Sequence, residues 1–407
     1  MSQATERPLT ILALASEFKG IPFLEECKRQ GCRVLLIKGE KANDSPWPEA
    51  IIDQIFHVPN ISKQPDITHA VSYLSRSNKI DRIVALDDYD VAMAASLREH
   101  MRLPGIGESI ARHFRDKLAM RQQARDSGIL VPPFISFLNY DDLRGFMARV
   151  PAPWVMKPRF EAGAVGINKI YSAEDVWRRL ETLGDQQSYY LLEQFIPGDV
   201  YHVDSLIWNN ALAFNRVSRY GAPPLSITTG GGIFNTRTLP LDAPDAQRIQ
   251  AKTAELLKAL GLTRGVTHTE YIRGHEDGRF YFLETAARVG GAHIDRLIKA
   301  ASGIELWAEA AKIEIAHARG QEYQLLDVSH HMAGLIICLA KQQHPDLSGY
   351  TDSEIVWRLD NKDYHAGLLI AAADASRVET LLNQYTERFA HDFLTSAPPK
   401  AEVRTTL

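Results

Sequence analysis

The arrangement of apolar and polar positions divides this chain into three stretches of different period. Leu9 to Ala15 is an unbroken apolar run of strand length. Phe23 to Gln30 follows with helical spacing and is closed by Gly31, and Arg33 to Ile37 is apolar again. An apolar strand, an amphipathic helix and a second apolar strand predict a β-α-β unit with a buried parallel sheet. A further strand is predicted at Arg82 to Leu86 and a helix at Val91 to His100, whose small residues Ala92, Ala94 and Ala95 allow close packing. Residues 1–113 thus read as a doubly wound α/β domain. The acids Asp87, Asp88 and Asp90 stand at the carboxyl end of its last strand, where open α/β sheets bind ligands and where helix capping also places acids.

Next comes a helix at Lys117 to Ser127, stopped by Gly128 ahead of Pro132-Pro133. Short strands are predicted at Trp154 to Lys157, Lys169 to Tyr171, Tyr189 to Phe195 and Val203 to Trp208. Residues 216–237, with Pro223-Pro224 and three consecutive glycines, read as a long irregular segment, and Ala246 to Leu260 as a helix. After a helix at Asp295 to Ala301, the chain turns β-rich from Leu325. Strands are expected at Met332 to Leu339, Glu354 to Arg358 and Gly367 to Ala371, and a helix at Ser376 to Tyr385.

The most informative pattern lies at 265–294. Val266 to Ile272 alternates, Gly274 to Gly278 supplies a turn, and Arg279 to Glu284 is rich in aromatics, which together predict a hairpin. Pairing Arg273 with Arg279 would set Glu284 opposite His268 and diagonal to Glu270, with both carboxylates on one face roughly 5–8 Å apart. Phe280 and Phe282 share or straddle that face, and acids beside aromatics are seldom buried unless paired or metal-bound. Hard carboxylate oxygens suit Mg²⁺, which completes its shell with water and phosphate. Arg288 and the bare backbone of Gly290 and Gly291 follow, completing the description of a polyphosphate site. A second glycine loop, with Gly163 and Gly166 beyond Lys157, has the freedom to fold over phosphates, although it lacks the order of a P-loop. Arg216, Arg219 and Arg237 are candidate clamps for a substrate carboxylate, against a default of solvated loop arginines. His330-His331 reads as structural or surface rather than as a ligand pair.

Composition narrows the field. The 407 residues exceed a usual single domain, and a net charge of -4 offers no basic field for nucleic acid. Cys27, Cys32 and Cys338 make no even disulfide set and show no metal-ligand spacing. The apolar run at Leu9 is too short to span a membrane and has no basic leader before it. A soluble, cytoplasmic protein acting on small molecules is the expectation.

In order along the chain stand D-K at Asp116-Lys117, V-M-K-P-R at Val155 to Arg159, L-E-Q-F-I-P-G at Leu192 to Gly198, H-T-E-Y at His268 to Tyr271, and E-T-A-A-R-V-G-G at Glu284 to Gly291. In these motifs the chain resembles the ATP-grasp superfamily, and within it carboxylate-amine ligases akin to L-amino acid ligases and biotin carboxylase. The resemblance covers residues 9–315. It implies a combined α/β and α+β architecture: a Rossmann-like pre-ATP-grasp domain at 1–113, an ATP-grasp domain at 114–320 with its lid at about 114–192, and a C-terminal α+β, β-rich domain at 321–407. ATP would be gripped between two subdomains. Lys117 and Lys157 would hold phosphates, Glu193 would accept the adenine amino group, and the backbone of Gln194 and Ile196 would complete the adenine contacts. Glu270 and Glu284 would bind Mg²⁺, with Mn²⁺ able to substitute, Arg288 would face the γ-phosphate, and the Gly163 to Gly166 loop would be the lid.

Two departures from the family pattern stand out. Ala286 occupies a position where many relatives carry a metal-binding asparagine. Val200 stands where some carry a ribose-binding glutamate, with Asp199 or His202 as substitutes. Arg219, His268, Gly290, Gly291 and His293 are the candidates for substrate contact, and Arg288 and Lys157 for catalysis. The expected activity is ligation of a carboxylate to an amine through an acyl phosphate, with a homodimer as the candidate assembly. Its rivals are a bicarbonate-activating carboxylase, a purine-pathway-like ligase, and an ATP sensor without catalysis. No A-M-K-M biotin-carrier motif is present.

Overall fold

A computed structural model of the protein describes residues 7–396. The first sheet holds β1 (Thr10–Ala15), β2 (Arg33–Lys38), β3 (Gln54–His57) and β4 (Arg82–Ala85) in the order β3-β2-β1-β4, all parallel. Alternate residues of β1 enter different cores. Ile11 and Ala13 pack with Phe23, Leu24 and Cys27 of the helix Ile21–Arg29, whereas Leu12 and Leu14 pack with Ile67, Val71 and Leu97 of helices on the other face. Burial on both faces is why the strand reads as a continuous apolar run, and it makes the domain doubly wound as expected. β3 and the helix Asp66–Ser75 were not visible in the pattern, because β3 is half-exposed and short.

The second sheet contains β5 (Phe134–Ser136), β6 (Trp154–Pro158), β7 (Asn168–Ile170) and β8 (Tyr190–Gln194), antiparallel in the order β5-β8-β6-β7. Its inner face packs Trp154, Met156, Ile170 and Leu192 against Leu143, Phe146, Val176 and Leu180 of two helices.

The third sheet is antiparallel and has eight strands: β9 (Gly198–Trp208), β10 (Ala211–Tyr220), β11 (Phe234–Thr238), β12 (Gly265–Gly274), β13 (Phe280–Ala286), β14 (Met332–Leu339), β15 (Ile355–Arg358) and β16 (His365–Ala372). Their order is β13-β12-β9-β10-β11-β14-β16-β15. The helix Pro244–Leu260 covers one face of it, and the helices Ile294–Ser302 and Leu306–Ala318 cover the other. The β-rich tail does not build a sheet of its own: Phe234 of β11 pairs with Ile337 of β14, so the late strands extend the central sheet.

Residues 216–237 also correct the expectation of an irregular segment. They hold the end of β10, a helix at Pro224–Gly230 and β11. The prolines start that helix and the glycines end it, so the breakers mark boundaries rather than a loop. No helix among the described residues is long and apolar enough to cross a membrane.

Candidate active site

The hairpin forms with a different register from the one predicted. Arg273 pairs with Phe280, and a bulge beyond Tyr271 and Phe282 leaves Leu283 unpaired, so Glu270 pairs directly with Glu284 and His268 with Ala286. The turn causes part of this shift: the Gly274 amide donates to the Arg279 carbonyl, so Arg279 stands opposite Gly274 rather than opposite Arg273. The bulge supplies the rest and re-aims Glu284. Directly opposed carboxylates are a tighter pair than the diagonal arrangement expected.

This pair lies in a cleft of about 390 Å³ between the second and third sheets. Lys157, Gly163, Glu193, Gln194 and Ile196 line it from one side, and His268, Glu270, Glu284, Arg288 and Gly291 from the other. Residues far apart in sequence thus meet in one cleft. Gly163 and Gly166, at φ 66° and 70°, shape the loop after β6 in a conformation that favours glycine.

Asp116 caps the helix Lys117–Asp126, its carboxylate accepting from the Leu118 amide. That places Lys117 at the first helical position, where its ammonium donates to the Glu161 carbonyl (2.5 Å) and lies 3.1 Å from Glu284. Burial alone would push the Glu284 carboxyl up, but Lys117 and Lys157 bring it down to about 2. At the other end of the cleft Glu193 is buried and shared, one oxygen contacting the Lys157 ammonium and the other 3.2 Å from Arg121. Burial opposes its charge, and these two cations more than offset that, holding it below the usual range. Burial also lowers Lys157.

Behind Glu270 runs a polar chain. Tyr220 donates its hydroxyl to Glu270 at 2.8 Å, and Asp204 accepts from His268 Nδ1 at 2.9 Å and from His202 Nδ1 at 2.8 Å. Burial would lower the His268 imidazole, yet Asp204 and Glu270 raise it to about 9. Gly290 packs on this chain; a Cβ there would lie 2.9 Å from Asp204 Oδ1 and 3.0 Å from His268 Nδ1, so the close approach requires glycine.

Four of the expected contacts lie elsewhere. His202 is fully buried within the third sheet, with Nε2 hydrogen-bonded to Thr236 and Nδ1 to Asp204, and it does not reach the cleft. Asp199 and Arg219 pair with each other at 2.9 Å, outside the cleft lining. His293 turns away to pack on Trp357, with ring centroids 5.0 Å apart. The other two arginines are also occupied: Arg216 donates to the His331 carbonyl at 2.7 Å, and Arg237 pairs with Glu379. Arg121, Asp204 and Tyr220 were missed. Arg121 had a signal, since four residues after Lys117 it shares that helix face.

No family model matches the chain. In sequence it is 26% identical over 270 residues to the L-arginine-specific L-amino acid ligase of Bacillus subtilis, spanning 64% of each chain. In structure it is similar to the L-amino acid ligase from Bacillus licheniformis, with a TM-score of 0.75 at 17% identity over 97% of this chain and 100% of that one. It is also similar to the biotin carboxylase domain of Hydrogenobacter thermophilus 2-oxoglutarate carboxylase, solved with MgADP and bicarbonate. That match has a TM-score of 0.67 at 14% identity, over 94% of this chain and 90% of that one. The chain has the ATP-grasp fold, and its sequence is similar to that of the L-amino acid ligases built on it.

Proposed function

We propose that the protein is an ATP-dependent ligase that joins a carboxylate to an amine through an acyl phosphate. The observation that carries this reading is the direct pairing of Glu270 with Glu284 in a cleft that also holds Lys157 and Arg288. Carboxylates that hold a divalent cation, together with a lysine and an arginine, neutralise and orient a polyphosphate, which is most of what phosphoryl transfer asks of a protein. In the reaction a substrate carboxylate oxygen attacks the γ-phosphorus and ADP leaves. The amine nitrogen then attacks the acyl carbon, phosphate departs, and the amine gives up a proton to yield the amide.

Glu270 and Glu284 fit Mg²⁺ or Mn²⁺. They are opposed hard-oxygen donors on one face, the donor type that a hard divalent ion takes. Bound there, the ion would supply charge neutralisation at the phosphate oxygens. Lys157 is the phosphate-side cation and Arg288 the group for the γ-phosphate. Lys117 keeps Glu284 ionised and aimed. At the base end, Glu193 and the Gln194 carbonyl are the acceptors for an adenine amino group, since the Gln194 amide already donates to Pro133. His268, held charged by Asp204, and the Gly291 backbone face the substrate end.

The test is ADP release with mixtures of amino acids, with bicarbonate alone, and with no acceptor. Release that needs both a carboxylate and an amine supports the ligase. Release with bicarbonate alone would indicate a carboxylase, and binding without any release an ATP sensor.

A further inference from the structure

Of the three acids after β4, two are engaged within their own domain. Asp87 contacts the Lys19 ammonium and accepts from the Tyr89 amide, and Asp90 accepts from the Ser16 amide and hydroxyl. Asp88 points the other way. Its Oδ2 accepts from Arg115 at 2.5 Å, and Arg115 also donates to the Phe160 carbonyl at 2.6 Å. Its Oδ1 is the only buried carboxylate oxygen among the described residues without a hydrogen bond, on a side chain just 8% exposed. That oxygen lies 3.9 Å from Arg288 Nε, which is itself buried and without a hydrogen-bond partner. Both groups line a cavity of about 30 Å³ that Lys117 and Glu284 also border.

Among the described residues Arg288 is otherwise held only by its Nη1, which donates to the Val289 carbonyl at 2.8 Å. Two unpartnered buried atoms of opposite charge, facing each other just beyond bonding distance, are costly to bury unless they act on one another or on a ligand. We infer that Asp88, supplied by the N-terminal domain, is the positioning residue for Arg288. It fixes the direction of the guanidinium so that the remaining N–H groups meet the terminal phosphate of ATP. The inference rests on the proposed role of Arg288. Arg115 locks the other Asp88 oxygen and the Phe160 carbonyl together, so the orientation is tied to the start of the glycine loop as well.

The test compares dissociation constants, by calorimetry with Mg²⁺, for ADP and for a non-hydrolysable ATP analogue. Asp88→Asn, which keeps an acceptor oxygen for Arg115, and Asp88→Ala, which removes both oxygens, are used together, and thermal melts confirm folding. Both should lose about tenfold in analogue affinity, the scale of one charge-assisted contact, and keep ADP affinity unchanged. In an Arg288→Ala background they should cause no further loss. A purely structural role would weaken both nucleotides alike. Wild-type discrimination in the Asp88 variants, or losses that multiply in the double variant, overturns the inference while leaving Arg288 in place. Undiminished discrimination in Arg288→Ala alone overturns the phosphate role of Arg288, and the inference with it.

Discussion

The Lys117 ammonium lies 3.1 Å from the Glu284 carboxylate, so the residue that opens a helix ahead of the second sheet meets one from the far end of the hairpin. This ion pair connects the first and last of the five motifs. It also favours the ionised form of Glu284.

Glu284→Ala should therefore reduce ADP formation by about 10²-fold or more, the usual cost of losing one electrostatic contributor to a charged transition state. ATP should still bind measurably, because the base-side contacts around Glu193 are at the other end of the cleft. Equilibrium nucleotide binding beside steady-state turnover separates the two effects. Full turnover in this variant contradicts the metal assignment.

Lys157→Ala should raise the KM for ATP and lower kcat together, since the phosphate contact removed is present in the ground state and strengthens as charge moves in the transition state. Glu193 would keep Arg121, so folding should survive with a lowered Tm. An unchanged KM for ATP contradicts the phosphate role.

His268 gives a pH signature. Its pKa of about 9 in the folded chain exceeds the ordinary value near 6.5, so the folded form holds the proton more tightly. The stabilisation is complete below pH 6.5 and is lost as pH rises through 9. It amounts to at most about 3 kcal/mol for a shift of this size. Denaturant unfolding in EDTA should show stability falling between pH 6.5 and 9, and His268→Asn should flatten that slope. An equal slope in the variant contradicts the Asp204 pairing as its source.

Much of this site was legible because its parts are local. The hairpin announced itself by its period of two, and Lys157, Glu193 and Arg288 by their motifs. The register was not legible, because the bulge at Leu283 has no compositional mark. Strands flanking Pro223-Pro224 were hidden by residues that also signal loops. The polar chain from His202 to Tyr220 depends on pairing between β9, β10 and β12, which no local pattern records. For the same reason the tail looked separate, although β14 joins the central sheet.

Ala286 lines the small cavity with Glu284 and Arg288, so the absent asparagine can be restored at a position that borders the metal candidates. Ala286→Asn should lower the free Mg²⁺ needed for half-maximal ADP release, by adding a neutral oxygen ligand. Ala286 is nearly buried, and overpacking would cost about 1–3 kcal/mol. A thermal melt beside the Mg²⁺ titration distinguishes the outcomes. Wild-type melting with an unmoved Mg²⁺ dependence contradicts this placement of Ala286.

The central claim is that the cleft activates a carboxylate by phosphorylating it, and isotope transfer tests this most directly. A pool of amino acids labelled with ¹⁸O in the carboxylate is turned over with ATP and Mg²⁺, and the released phosphate is analysed by mass spectrometry. The account predicts one ¹⁸O atom in each phosphate released, because the oxygen that attacked the γ-phosphorus leaves with it. Phosphate carrying no label, released at a rate indifferent to the amino acids, would contradict it.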